Sequence, residues 1–341
     1  KKAELNIYDI AKATGVSRGT VSRAFNGRSD ISEKTRKKIL SYAKKLNYLP
    51  NTNAHGLAKG KTECIGLVIP DITNPYLSEL AGAIDITARA EGMSTIVSLT
   101  HNTPELQLKN LLRLASGQVD GIIITPCETH ESIEQINLIN SKVPVVSLKY
   151  HDKLECDTVM GDDKEGVRMI IEHLLSIGRR NISFLAVNGQ DWTLEERNKS
   201  YLSTLHSNKI KTNKIISIDY SDNLEEIDAK IANAVSEIMK KNCENTDAIF
   251  AFDDIIALST VKALEELGLN IPADVAVAGF DNIRLASFAK LPLTTTSVDY
   301  SEIANFAINI LMNRLTNPSK QQTRHIKITP KLFIRKSSSS H

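Results

Sequence analysis

Residues 7–27 read IYDIAKATGVSRGTVSRAFNG, and the order of residue types in this stretch decides how the N-terminal part of the chain folds. Asn6, followed three residues later by Asp9, is the pattern of a helix start. Ile7, Ile10 and Ala11 then share one face at the i, i+3, i+4 spacing. Thr14-Gly15 stops the helix, because glycine reaches positive φ without steric cost. Val16 turns inward and Ser17 caps a second helix, expected from about Arg18 to Phe25 with Val21, Ala24 and Phe25 inside. Asn26-Gly27 ends it. A third helix follows Ser32 and buries Ile39, Leu40, Ala43 and Leu46.

Two short helices joined at a glycine turn, then a third, make the helix-turn-helix plan, in which the second helix enters the major groove of DNA. Its exposed side carries Ser17, Arg18, Gly19, Ser22 and Arg23. Small hydroxyl residues let the backbone approach phosphates, and arginine bonds guanine bidentately. The charge agrees. Residues 1–61 hold fourteen lysines and arginines against four carboxylates, a surplus of ten, whereas the rest of the chain holds 28 basic and 36 acidic residues. A basic head on a mildly acidic body implies a polyanion-binding module joined to something else.

The 341 residues, 41% hydrophobic and 24% charged, are enough for two or three domains with a large buried core. No apolar run approaches the roughly 18 residues of a membrane span, and no apolar secretory segment follows the first residues, so a cytoplasmic location is expected. Cys64, Cys127, Cys156 and Cys243 are too far apart for a zinc site or a disulfide framework. GxGxxG after a strand, GxxxxGK[ST] and HExxH are missing. Neither an enzyme nor a bound metal or cofactor is expected. Asp253-Asp254 sits at a strand end, where neighbours point in opposite directions.

With these residues in view, the stretch strongly resembles the DNA-reading head of the LacI/GalR family of bacterial transcription regulators, whose usual form is I-x-D-[IV]-A-x-x-[AS]-G-V-S-x-x-T-V-S-R-x-[LF]-N. The resemblance implies that Arg18 and Gly19 hold two variable base-reading positions and Arg23 a third. It places Ser17, Thr20, Ser22 and Asn26 at phosphates. Gly19 departs from the many members with a larger polar residue there. NYLPNTNAHGLAKGKT then resembles the family's hinge helix, with Leu57 at the leucine that wedges the minor groove. The family's A-R-S-L is here Ala54-His55-Gly56-Leu57, and Gly56 disfavours helix by about 1 kcal/mol relative to alanine.

From Cys64 onward, apolar runs (CIGLVIP, STIVSL, DGIIITP, PVVSLK, NISFLAV, IISID, DAIFAF, VAVAGF) alternate with amphipathic segments, as in parallel sheets covered by helices. This resembles the family's two-lobed α/β effector domain, which is periplasmic-binding-protein-like. The expected architecture is an all-α helix-turn-helix head plus hinge helix joined to that domain. The head is residues 1–50 and the hinge 51–62. The N-terminal lobe is 63–160 plus 293–321, and the C-terminal lobe 161–292 plus 322–336. A disordered tail covers 337–341.

Ligands of parallel sheets sit beyond the carboxyl ends of the strands. Family positions that contact the effector fall on Tyr76 in ITNPY, Arg197 in RNKSY, Asp253 and Asp281 in GFDN. Tyr150, Trp192, Thr193 and Phe252 lie on the neighbouring strand-end segments. Arginine, carboxylates and aromatic faces suit a hydroxylated ring. Trp192, the single tryptophan, is either a stacking platform or a residue packed on a neighbouring helix. Lys149 stands where many sugar-responsive members carry an acid. It favours an anionic ligand, pairs with Asp253 or faces solvent. The function these readings imply is a homodimeric regulator, a repressor of carbohydrate-utilisation genes. It binds a pseudo-palindromic operator and answers to a sugar or sugar derivative, with a non-sugar effector or a partner protein as the alternative. DNA affinity is then expected to fall steeply with salt in a filter-binding titration, because phosphate contacts release counterions; a flat response would remove the polyanion reading.

Overall fold

The structure is a computed structural model that describes residues 6–25, 30–46, 48, 61–189, 192–210, 214–219, 224–240, 246–317 and 322–339. The chain divides into two compact units, Lys1–Thr62 and Glu63–His341. In the first unit, α1 (Ile7–Thr14) opens on a capping box: the Tyr8 N–H donates to Asn6 Oδ1 at 2.8 Å and the Asn6 N–H to Asp9 Oδ2 at 2.9 Å. Gly15 closes α1 at φ +71°. Helix α2 (Arg18–Phe25) starts on Ser17, whose Oγ accepts from the Thr20 N–H at 3.1 Å. Helix α3 (Glu33–Lys45) starts on Ser32, which accepts from the Thr35 N–H at 3.2 Å. Ile10, Ala11, Val21, Ala24, Ile39 and Ala43 form the small core.

Leu40, expected inside, is 38% exposed. Ile39 and Ala43 set the buried face of α3 at i, i+4 spacing, and Leu40 lies about 100° round the helix from that face. Lys38 donates to the last-turn carbonyl of Thr14 at 2.9 Å, so α3 closes the end of α1. Asn26, Gly27 and the hinge residues His55, Gly56 and Leu57 lie outside the described residues.

The second unit continues with β1 (Cys64–Ile69), α4 (Pro75–Ala90), β2 (Ser94–Leu99), α5 (Pro104–Ala115), β3 (Gly121–Ile124), α6 (His130–Asn140), β4 (Val145–Ser147) and β5 (Asp157–Gly161). Then follow α7 (Asp163–Ser176), β6 (Ile182–Val187), α8 (Trp192–Ser207), β7 (Lys214–Ile218), α9 (Leu224–Lys240), β8 (Ala248–Ala251), α10 (Asp254–Glu266) and β9 (Ala276–Ala278). The last elements are α11 (Arg284–Phe288), β10 (Thr295–Ser297), α12 (Tyr300–Thr316), β11 (His325–Ile328) and β12 (Lys331–Phe333). One parallel sheet has the order β11-β5-β4-β3-β1-β2 and a second the order β7-β6-β8-β9; β10 and β12 form a small antiparallel pair. Strands such as β3, β6 and β8 are buried along their whole length, as parallel strands covered on both faces must be.

Three features differ from the sequence expectation. Strand β11 pairs with β5 in the first sheet, although 322–336 was placed in the second lobe. Asp157 on β5 holds Arg314 of α12 through two bonds of 2.7 and 2.8 Å and accepts from the Arg324 N–H at 2.8 Å, which draws the chain back to the first sheet. Strand β10, placed in the first lobe, instead pairs with β12, and Leu293 and Leu332 pack into the core of the second lobe. The tail expected to be disordered begins with ordered residues: Ser337 and Ser338 are 0% and 3% exposed. Ser337 Oγ bonds the Val277 carbonyl at 2.6 Å, and Ser338 Oγ meets His173 Nε2 at 2.8 Å.

A Cβ added to Gly19 would lie 3.7 Å from Ser17 Oγ and 3.8 Å from Arg23 Nη2, an ordinary contact. Gly19→Ala is therefore expected to stabilise the head by roughly 0.5–1 kcal/mol through lost backbone freedom of the unfolded chain, read by urea unfolding of the full chain. A destabilised head would mean that α2 does not have this geometry.

Candidate functional site

In the head, the residues expected to meet DNA make local bonds. Arg18 donates to the Tyr8 hydroxyl and its guanidinium carbon lies 4.4 Å from the centre of the Tyr8 ring. Arg23 bonds the Gly19 carbonyl at 3.2 Å and pairs with Asp30 at 3.2 Å. Ser17 Oγ and Thr20 Oγ1 are 2.9 Å apart, and Ser22 is partly buried beside them. The sequence reading did not single out Tyr8, which is 58% exposed. The signal for it was an aromatic at a position that has no place in the α1 core.

In the second unit the centre is Arg197, 5% exposed on α8. Its guanidinium lies 3.7 Å from the centre of the Phe280 ring and 4.6 Å from that of Phe252, and it donates to the Phe252 carbonyl. Asp163 and Asp281 each approach it at 3.6 Å. Aromatic faces and carboxylate edges together replace the water that a buried cation loses. Phe252 follows β8, Phe280 and Asp281 follow β9, and Asp163 opens α7, so strand ends of one sheet converge here.

Asp281 sits at φ +95° and Asn282 at +51°, a conformation that costs a non-glycine residue of order 1–3 kcal/mol. The loop is held from all sides. The Asp281 N–H donates to the Thr296 carbonyl at 2.8 Å, the Ile283 N–H to Asp254 Oδ2 at 2.9 Å, and Arg335 to Asn282 Oδ1 at 2.6 Å. The Tyr300 hydroxyl donates to the Asp281 carbonyl. Gly279 is required here, since a Cβ would stand 2.2 Å from Asp254 Oδ1. Asp253 caps α10, accepting from the Ile256 N–H at 2.8 Å, and burial raises its pKa. Desolvation, with Asp253 and Asp163 adding to it and Arg197 opposing it, pushes the Asp281 carboxyl up to about 7.

The first lobe contributes Tyr76. Asn74 caps α4 by accepting from the Tyr76 N–H at 2.9 Å, and the Tyr76 ring meets Tyr300 edge-on at 5.6 Å. Burial and the charges of Asp281 and Asp163 raise its phenol pKa. An interlobe contact joins the Arg284 N–H to Glu79 Oε1 at 3.0 Å. Tyr76, Phe252, Asp253 and Asp281 thus gather around Arg197. Asp163 and Tyr300 belong with them and were not anticipated.

The other candidates have partners of their own. Lys149 pairs with Glu128, not with Asp253 and not with solvent alone, so its charge is compensated inside the protein. The face of Trp192 is taken by His151 at 4.3 Å, and the indole packs on the first lobe's core. Tyr150 stands edge-on to His325 at 5.0 Å, because β11 lies beside β5 at that margin of the sheet. Thr193 follows Trp192 in the first turn of α8. Among the described residues, no group of three or more His, Cys, Asp or Glu is arranged to hold a metal ion, and no helix is long and apolar enough to cross a membrane.

The chain is similar to known proteins. Residues 6–51 match the family model for bacterial regulatory proteins of the lacI family, and residues 171–338 that for a periplasmic binding protein-like domain. The HTH-type transcriptional regulator DegA of Bacillus subtilis is 32% identical over 98% of each chain. A crystal structure of the lac repressor dimer bound to operator and the anti-inducer ONPF superposes with a TM-score of 0.85 at 25% identity, over 98% of this chain and 99% of that one. A periplasmic binding protein/LacI transcriptional regulator from Alkaliphilus metalliredigens, complexed with D-xylulofuranose, gives 0.72 at 25% identity over 82% of this chain and all of that one.

The Asp281 carboxyl has a protonation consequence. Its pKa is about 7 in the fold against 3.8 for an ordinary aspartate, so the folded state holds the proton more tightly. The stability it contributes is full below about pH 4 and is lost as the pH rises towards 7. Asp281→Asn is expected to flatten that part of the melting-temperature profile between pH 4 and 7; an unchanged slope would contradict the raised pKa.

Proposed function

The chain belongs to the LacI family of bacterial regulatory proteins, DNA-binding transcriptional repressors and not enzymes, and on that footing we propose that it is a cytoplasmic, homodimeric repressor controlled by a neutral sugar bound between its lobes. Two copies of the head, residues 1–50, read the half-sites of a pseudo-palindromic operator. Arg18 and Arg23 reach base edges, and Ser17, Thr20, Ser22 and Asn26 contact phosphates. The base pair facing Gly19 is read loosely. The hinge, 51–62, carries the Leu57 wedge. For the body, 63–161 with 299–328 form one lobe and 162–298 with 329–339 the other, a division that the strand pairing supports.

The observation that carries the ligand reading is the charge balance around Arg197. One guanidinium faces Asp163 and Asp281 at 3.6 Å each, with Asp253 buried nearby, while Lys149 is matched by Glu128. Carboxyl groups outnumber the one arginine, and burial keeps Asp281 partly protonated near neutral pH, so the cluster suits hydroxyls as donors and acceptors better than a further negative charge. Vicinal hydroxyls accept from the arginine fork and donate to carboxylates, and Tyr76 offers a ring face. D-xylulofuranose in the Alkaliphilus relative is of this ligand class. An effector preferring one lobe arrangement shifts the population towards it, and only differential affinity does so. The control of carbohydrate-utilisation genes follows from such a ligand.

A thermal-shift screen of neutral pentoses and hexoses against their phosphates and acids tests the reading. Neutral sugars are expected to raise the melting temperature by mass action. Arg197→Lys, which keeps the charge and loses the planar fork, is expected to weaken the best of them by about tenfold, or about 1.4 kcal/mol. Stabilisation by the anionic sugars alone would overturn the assignment.

A further inference from the structure

Glu128 is not among the groups proposed to touch the ligand, and its carboxylate reaches both lobes. It follows Cys127, whose N–H donates to Gln107 Oε1 at 2.8 Å. Gln107 Nε2 in turn donates to Ser132 Oγ at 2.7 Å and to Gln135 Oε1 at 3.0 Å. Gln107 and Ser132 are fully buried and Gln135 is 6% exposed, so the backbone that delivers Glu128 is fixed by satisfied buried bonds. The Glu128 side chain is itself 8% exposed.

Its two oxygens have different partners. Oε1 takes the Lys149 ammonium, which follows β4 of the first lobe, and Oε2 accepts the N–H of Trp192, the first residue of α8 in the second lobe. A carboxylate at a helix N-terminus is also favoured by the helix dipole. Helix α8 otherwise belongs to the second lobe, where the Tyr201 hydroxyl bonds the Ile182 carbonyl of β6 at 2.7 Å. Its first side chain does not, since Trp192 lies against His151 and the first lobe's core. We propose that Glu128 is an interlobe clasp, which joins Lys149 to the start of α8 and must let go for the lobes to separate along this edge.

The clasp makes the closed arrangement partly populated without ligand, and so sets how much of the effector's binding energy goes into closure. This consequence rests on the effector reading above; the clasp itself does not. Trp192 is the chain's single tryptophan, so its emission reports the contact directly. In the full-length, ligand-free protein, Glu128→Ala is expected to shift the emission to the red and to raise acrylamide quenching by about twofold as the open population grows. Glu128→Gln keeps the shape and loses the charge; it should shift in the same direction by less, and it carries the test if the alanine variant does not fold. Lys149→Met added to Glu128→Ala should change nothing further. Unchanged emission and quenching in both Glu128 variants would overturn the clasp. In titrations with the neutral sugar giving the largest thermal shift, Glu128→Ala should bind several-fold more weakly. If no sugar binds the wild type while the tryptophan shift is present, the clasp stands and the ligand reading falls.

Discussion

A buried arginine, Arg197, 5% exposed, is the constraint around which the second unit is arranged. Removed from water, Arg197 needs compensation in every direction. The rings of Phe252 and Phe280 cover it, and Asp163 and Asp281 supply the opposite charge. Asp281 can do so only because its loop bends through two left-handed residues, and that bend fits only because Gly279 leaves room for the Asp254 carboxylate. Residues from β8, β9, α7 and α8 are thus fixed by one buried charge.

The same centre lies where the lobes touch. Tyr76 packs against the cores of both lobes, and Tyr300 at the start of α12 bonds the Asp281 carbonyl. Three carboxyl groups stand against one arginine, and burial, with Asp253 and Asp163 adding to it, raises the Asp281 pKa. A ligand with hydroxyls suits this cluster by donating to carboxylates and accepting from the arginine. A ligand with its own negative charge increases the repulsion.

The helix-turn-helix was legible because its signals are local. Asn6, Gly15, Ser17 and Ser32 each act within a few residues of themselves, and the structure uses all four as read. Leu40 misled because a lysine-rich helix shows its apolar face by few residues. Arg197, Asp253, Asp281 and Tyr76 were found from strand ends and motif positions. Asp163, Tyr300 and Glu128 were not, since their roles depend on partners far away in sequence: Glu128 meets Lys149 and Trp192 only after both lobes have formed. For the same reason β11 was assigned to the wrong sheet. The ion pair between Asp157 and Arg314 spans 157 residues and leaves no local trace.

The central claim is that occupancy of the Arg197 site and DNA affinity are one linked equilibrium. The most direct measurement is fluorescence anisotropy of the full-length protein on an operator duplex selected from random DNA, at fixed salt, with and without a sugar that stabilises the wild type. The account predicts that the sugar changes DNA affinity by about 5–150-fold, and that the Arg197→Lys variant needs a correspondingly higher sugar concentration for the same change. An equal DNA affinity with and without a saturating sugar would contradict it.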